Sequence, residues 1–117
     1  MRAKKTSVVK ERLVTFEVMT RLPLPVGQQV FVSGNLDMLG NWAPDGFPLT
    51  RMDDNLWSGH AFLPAHEPVA FKITRGTWAS EEVSPDGEAL PENIFIPAGS
   101  NTTFRRTVFG WKDQIRA

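Results

Sequence analysis

The sequence predicts an all-β fold, an antiparallel β-sandwich of about seven or eight strands, from three observations. Short segments in which apolar and polar residues alternate recur along the chain, which is the period of a half-buried strand. Turn-forming combinations of Gly, Pro, Asn and Asp separate these segments about every ten residues. No window has the apolar period and the end caps of an α-helix.

The first strand is predicted where Val14, Phe16 and Val18 alternate with more polar neighbours. Two prolines and Gly27 interrupt the pattern afterwards, because proline has no N–H to donate to a sheet. The residues before the strand are mostly polar and charged, which is typical of a loosely held terminus. We therefore expect a flexible arm over residues 1–12, one domain over residues 13–113 and a tail over residues 114–117.

The later strands are predicted by the same alternation. Pro48 indicates that its strand lies at a sheet edge. Trp57 and Phe71 fall on apolar faces of their strands, whereas Lys72 falls on the opposite face from Phe71. The predicted strands cover residues 29–33, 47–52, 56–63, 69–74, 93–96 and 102–109, and residues 78–83 are expected to be extended.

The charge balance excludes several classes of partner. The chain has 13 basic and 13 acidic residues, so its formal net charge is zero. Nucleic acids and anionic membranes attract proteins with an excess of Lys and Arg, so neither is an expected partner. There is no cysteine, and no apolar stretch typical of a secretory signal follows the basic N-terminus. These features lead us to expect a cytoplasmic location.

The residue types that catalysis requires do not converge in this sequence. His60 falls in a predicted strand, and His66 falls in a turn between prolines. The acidic pairs 53–54 and 81–82 could supply acid–base chemistry, but adjacent strand residues point to opposite faces. Solvated surface is the simpler interpretation of both pairs. We therefore expect no enzymatic activity, no metal site and no cofactor.

Tryptophan is the residue type that points to binding. The chain has four tryptophans and no tyrosine. An indole offers a broad apolar surface that suits the C–H face of a sugar ring. Trp57 and Trp111 lie at strand positions and are interpreted as core residues. Trp42 and Trp78 each follow a glycine-containing break, where an indole is harder to bury, so core and ligand contact both remain open for them.

The order of motifs along the chain resembles the starch-binding domain, carbohydrate-binding module family 20, and the related glycogen-binding modules. The sequence FVSGN at residues 31–35 is followed by LGNW at residues 39–42, FKITR at residues 71–75 and the terminal Trp111. The resemblance extends over about residues 13–113. It implies an immunoglobulin-like β-sandwich that binds α-1,4-glucans such as starch and glycogen without catalysis.

The resemblance also implies where the sugar binds. In the family, two tryptophans contact neighbouring glucose rings while a lysine, an acid and an asparagine reach their hydroxyls. Many members have a second site with a tyrosine where this chain has Val26, so one sugar site is expected here. Besides the glucan, a covalently linked or associated enzyme domain is an expected partner. The matching positions of the principal site are Trp42, Lys72, Trp78, Glu81 or Glu82, and Asn93.

A second function remains open at this point. The absence of the second site and the long segment between Trp78 and Asn93 would also suit a protein-interaction or positioning sandwich that has lost sugar binding. A small hydrolase is the weakest alternative, because it needs a convergent polar cluster that the motifs do not provide.

Overall fold

The computed structural model describes residues 10–88 and 92–114. Within these residues the regular structure consists of ten strands and three single-turn 3-10 helices. The helices cover Asp37–Leu39, Trp78–Ser80 and Lys112–Gln114. The strands are β1 (Glu11–Thr20), β2 (Phe31–Gly34), β3 (Phe47–Pro48), β4 (Thr50–Asp53), β5 (Leu56–Pro64), β6 (Val69–Thr74), β7 (Glu82–Val83), β8 (Ile94–Ile96), β9 (Thr102–Val108) and β10 (Gly110–Trp111).

The strands form two four-stranded sheets and one two-stranded sheet. The first large sheet has the order β4-β5-β1-β9, and the second has the order β3-β2-β6-β8. The small sheet pairs β7 with β10. All the pairs are antiparallel except β1 with β9, which run parallel. The predicted all-β sandwich is confirmed, with this one parallel pair as an addition.

The core lies between the two large sheets. Phe16 of the first sheet meets Phe71 of the second edge to face, with ring centroids 5.2 Å apart, and Phe104 contacts Phe71 at the same distance. Trp57 and Trp111 are 2% and 4% exposed, which confirms both as core residues. The inner faces of the sheets therefore interdigitate, as in other β-sandwiches.

Two local predictions were wrong. The predicted strand over residues 47–52 is split at Leu49, a buried residue whose N–H donates to the carbonyl of Val30 at 2.9 Å. There the chain passes from the second sheet to the first, with Pro48 at the sheet edge as predicted. Trp78–Ser80 is a 3-10 helix instead of an extended segment, because the Ser80 hydroxyl bonds back to the Thr77 carbonyl at 3.0 Å.

The first strand begins earlier than the sequence suggested. β1 starts at Glu11, before Val14, where the alternation predicted the strand. Residues 1–9 of the predicted arm and residues 115–117 of the predicted tail lie outside the described residues. Among the described residues, no helix is long and apolar enough to cross a membrane.

Candidate functional site

The loop between β2 and Trp42 is tied to the second sheet at both ends. Asn35 forms two bonds with Ala70 of β6: its N–H donates to the Ala70 carbonyl, and its side-chain oxygen accepts from the Ala70 N–H, both at 3.0 Å. The Trp42 N–H donates to the carbonyl of Gly34, the last residue of β2, at 2.8 Å. The indole is thus carried on a short, closed loop at the end of a central strand.

The backbone that delivers Trp42 is strained. Gly40, Asn41 and Trp42 have φ angles of +82°, +49° and +70°, all in the left-handed region. A bulky residue rarely adopts this conformation, which costs about 1–2 kcal/mol per non-glycine residue. Asn41 tolerates it best, and its side-chain amide donates to Asp37. Backbone strain of this kind is concentrated at functional sites, so Trp42 is the first candidate contact residue.

The rest of the loop fixes that conformation by close packing. A Cβ on Gly40 would lie 2.5 Å from the Cα of Gly46, so neither glycine has room for a side chain. Beyond the turn, the Thr74 hydroxyl of β6 donates to the Pro44 carbonyl at 2.6 Å. The loop is therefore pinned to β6 on the far side of Trp42 as well, and the indole is half-buried.

Lys72 lies on the outer face of the second sheet, beside the base of this loop. In the register of β2 and β6, Lys72 stands opposite Ser33, and the next pair is Gly34 with Phe71. Its ammonium lies 3.5 Å from a carboxylate oxygen of Glu81, with side-chain exposures of 20% and 13%. Both charged ends therefore stay within reach of solvent, so the pair can exchange hydrogen bonds with a polar ligand.

Asn93 and Trp78 are linked to this pair by strand register and by a 3-10 turn, respectively. The register of β6 and β8 places Phe71 opposite Ile94, and its continuation by one residue places Asn93 opposite Lys72. Trp78 begins the 3-10 helix that Glu81 ends, and the Glu81 N–H donates to the Trp78 carbonyl at 3.2 Å. Trp78 is half-buried and Asn93 is exposed. We group the predicted contact residues of this part of the molecule, Trp42, Lys72, Trp78, Glu81 and Asn93, under the name Lys72 face.

Glu82 does not belong to the Lys72 face. It is 4% exposed, and its two carboxylate oxygens accept from the Arg106 Nε at 2.9 and 2.7 Å. Burial raises the pKa of Glu82, against the opposing effects of Arg106 and Lys72. The sequence left Glu81 and Glu82 as alternatives. The structure separates them, because Glu81 turns outward to Lys72 and Glu82 turns inward to Arg106.

Ser33 is a neighbour of the site that the sequence analysis passed over. It is fully buried, and its hydroxyl has no hydrogen-bond partner among the described residues. The alternation along β2 places Ser33 on the same face as Lys72, but no pattern in the sequence indicated that it would be buried. In the part of the chain that the structure describes, no group of three or more His, Asp or Glu side chains is arranged to hold a metal ion.

Comparison with known protein families finds a match that covers most of this chain. A family model described as a starch-binding domain matches residues 11–104. This match includes the strained Trp42 loop, Lys72 and Asn93. It begins at the residue where β1 begins.

Two curated relatives are amylases. The chain is 36% identical over 101 residues to an alpha-amylase of Niallia circulans, covering 86% of this chain and 8% of that protein. It is 33% identical over 58 residues to a beta-amylase of Bacillus cereus, covering 47% of this chain and 11% of that protein. The chain thus spans only a small fraction of the length of these relatives.

Solved structures share the fold. A glucoamylase from Hypocrea jecorina superposes with a TM-score of 0.68 at 22% identity, covering 88% of this chain and 18% of that one. The family 20 module of a maltotetraose-forming amylase from Pseudomonas saccharophila STB07 superposes with a TM-score of 0.54 at 23% identity, covering 80% of this chain and 99% of that one. Since the family model matches most of its length, the chain belongs to the starch-binding domain family, carbohydrate-binding module family 20.

Proposed function

We propose that this starch-binding domain holds α-1,4-glucans on the Lys72 face, and that it does so without catalysing a reaction. The observation that carries the proposal is the position of Trp42. A strained backbone holds it at the end of β2, whose residue Ser33 stands opposite Lys72, and Lys72 forms a partly exposed pair with Glu81 on the outer face of the sheet. Strained backbone of this kind is concentrated at functional sites, and this supports a role for Trp42 in contacting a ligand.

The chemistry of the face suits a glucose polymer. The indole of Trp42 contacts the C–H face of one glucose ring, and Trp78 contacts another. Lys72 donates to sugar hydroxyls, Glu81 accepts from them, and Asn93 does both. Each such hydrogen bond contributes only about 0.5–1.5 kcal/mol net, because the sugar and the protein are both hydrated before they meet. Binding is therefore expected to be weak and to depend mostly on the tryptophans.

We further propose a single sugar site. Val26, which stands where many relatives have a tyrosine, is 99% exposed and offers no ring. On the first sheet, the guanidinium of Arg51 lies over the Trp57 ring, 5.4 Å from its centroid. Arg51 is held there by bonds of 2.7 Å to the carbonyls of Leu24 and Asp54. Neither Val26 nor the buried Trp57 therefore supplies a second aromatic platform.

An enzyme domain acting on starch is the proposed partner. The matched segment makes up 8% and 11% of the two amylases, so in each of them it accompanies a much larger protein. A weakly binding module is useful in that setting, because a link to an enzyme raises the effective concentration of the glucan at that enzyme.

A titration with β-cyclodextrin or maltoheptaose, followed by nitrogen–proton NMR, tests the location of the site. The expected result is a set of saturable shifts at the indole signals of Trp42 and Trp78 and at the amides of residues 33–42 and 72–81. Signals of residues 10–12 and 99–101, at the end of the sandwich where β1 begins, are expected to stay in place. Shifts centred on Val26 and Arg51 instead would show that the Lys72 face is not the site.

A further inference from the structure

The end of the sandwich at which β1 begins contains an open cavity of about 530 Å³. The Ala65 N–H donates to the Lys10 carbonyl, and the Gly99 N–H donates to the Ala65 carbonyl, both at 2.9 Å. These bonds join the segments around the cavity to one another. The lining comes from residues 10–12, 65–66 and 99–101.

Arg12 is the buried charged residue of this cavity. It continues the inward-facing series of Val14 and Phe16 along β1, and it is 3% exposed. Its Nε has no hydrogen-bond partner among the described residues. Its Nη2 donates to the Glu67 carbonyl at 3.4 Å, which is longer than an ordinary hydrogen bond. The guanidinium is thus buried with its Nε unpaired and with one long bond from its Nη2.

Among the described residues, no carboxylate forms an ion pair with Arg12. Residues 1–9, 89–91 and 115–117, which lie outside the described ranges, contain no Asp or Glu. A guanidinium remains protonated at any pH at which proteins fold, and an uncompensated buried cation is unfavourable. An anion taken up from outside would satisfy both the charge and the unpaired Nε–H group.

We propose that this cavity is an oxyanion site, in which Arg12 binds a phosphate or carboxylate group. The planar edge of a guanidinium matches two oxygens of either group, which is why arginine recognises them so often. Lys10, Ser100 and Asn101 add donors at the rim, whereas Glu11 also lines it and favours an anion of low charge. His66 at the rim is already paired with Glu67 at 3.3 Å.

This site is separate from the Lys72 face. Arg12 lies on the inner face of the first sheet, at the end where β1 begins. Lys72 lies on the outer face of the second sheet, opposite Ser33. The inference therefore does not depend on the proposed glucan site. Three sources could supply the group: free inorganic phosphate, a sugar phosphate ester, or a carboxylate.

The test is a titration of the full chain with sodium phosphate, with sodium chloride at matched ionic strength as the reference. We expect saturable shifts of the Arg12 side-chain Nε–H signal and of the Asn101 amide, with half-saturation at roughly 1–10 mM, the range of one or two charge-assisted hydrogen bonds. Phosphate is also expected to raise the Tm, because it binds the folded chain. Parallel titrations with glucose 6-phosphate and with acetate identify which source the cavity accepts.

Variants distinguish phosphate binding at Arg12 from general effects of salt on stability. Arg12→Met is expected to lose the phosphate-dependent Tm rise, and Arg12→Lys to weaken it, since lysine keeps the charge but not the planar edge. Arg105→Met, which removes an arginine that is 73% exposed and paired with Glu17, should keep the full effect. If the wild-type Arg12 signal does not respond to phosphate, glucose 6-phosphate or acetate, the proposal is wrong, whatever the variants do. An unchanged phosphate response in folded Arg12→Met would also overturn it.

Discussion

At the scale of single residues, Asn41 shows how the site is held in place. Its φ is +49°, and its side-chain amide donates to Asp37. We expect Asn41→Ala to lower the free energy of unfolding by about 1 kcal/mol, because alanine tolerates the left-handed region less well and cannot make this bond. Asn41→Gly, which accepts positive φ freely, should lose less. Urea unfolding of the three proteins measures the difference, and equal losses in the two variants would contradict the account.

Lys72 gives a second residue-scale prediction. We expect Lys72→Met to weaken β-cyclodextrin binding by roughly two- to tenfold, the equivalent of about 0.5–1.5 kcal/mol for one lost hydrogen bond. Lys10→Met is the matched control, since Lys10 is exposed at the end of the sandwich where β1 begins. Calorimetric titration of both variants gives the comparison. If they bind equally well, Lys72 does not contact the sugar.

The role of a residue was predictable from the sequence only where the alternation along a strand shows which face of the sheet its side chain occupies. Lys72 is such a residue, because alternation with Phe71 placed it on the outer face. The choice between Glu81 and Glu82 could not be made, since it depends on Arg106, which is distant in sequence and reaches Glu82 only in the folded sandwich. Arg12 was assigned to the arm, although its position two residues before Val14 indicated an inward-facing residue.

At the scale of elements, the Trp42 loop positions the tryptophan on which the proposed site depends. Gly40 and Gly27 have similar φ angles of +82° and +93°, but a Cβ on Gly40 would clash with Gly46, whereas a Cβ on Gly27 would meet nothing within 4 Å. Both alanine substitutions incur the cost of positive φ, roughly 1 kcal/mol. Only Gly40→Ala is expected to displace the loop and so to weaken glucan binding.

The two glycine variants are compared by thermal unfolding and by β-cyclodextrin titration. Gly27→Ala should bind the sugar as the wild type does, despite its lower stability. Wild-type affinity in folded Gly40→Ala would mean that the loop conformation does not position Trp42 for binding.

The strands themselves were largely predictable, because alternation and turn residues are local signals. The segment over 47–52 was mispredicted, since the transfer of the chain between sheets at Leu49 depends on a tertiary hydrogen bond to Val30. The 3-10 helix Trp78–Ser80 was missed because a single turn has no apolar period. A Thr followed three residues later by Ser was its sequence signal, and the two side chains do bond, at 2.9 Å.

At the scale of the whole molecule, Glu82 and Arg106 join the small β7–β10 sheet to the edge strand β9 of the first sheet. Burial raises the pKa of Glu82 in the folded protein. A carboxyl with a raised pKa binds its proton more tightly when the protein is folded. Its contribution to stability is therefore fully present below the ordinary glutamate pKa and is lost as the pH rises through the raised value.

We therefore expect the stability of the wild type relative to Glu82→Gln to fall as the pH increases from the ordinary glutamate range upward. Urea unfolding of both proteins at a series of pH values, at constant ionic strength, measures this difference. A relative stability that rises with pH over that interval would contradict the assignment, because it would indicate a lowered pKa for Glu82.

The central claim is that the Lys72 face, through Trp42, binds the glucan, and calorimetric titration of Trp42→Ala with β-cyclodextrin tests it most directly. The matched control is Phe62→Ala, which removes an aromatic side chain that is 59% exposed on the outer face of the first sheet. We predict that Trp42→Ala loses more than about tenfold in affinity, as for other central aromatic contacts, while Phe62→Ala binds as the wild type does. If folded Trp42→Ala binds with wild-type affinity, the glucan site lies elsewhere on the molecule.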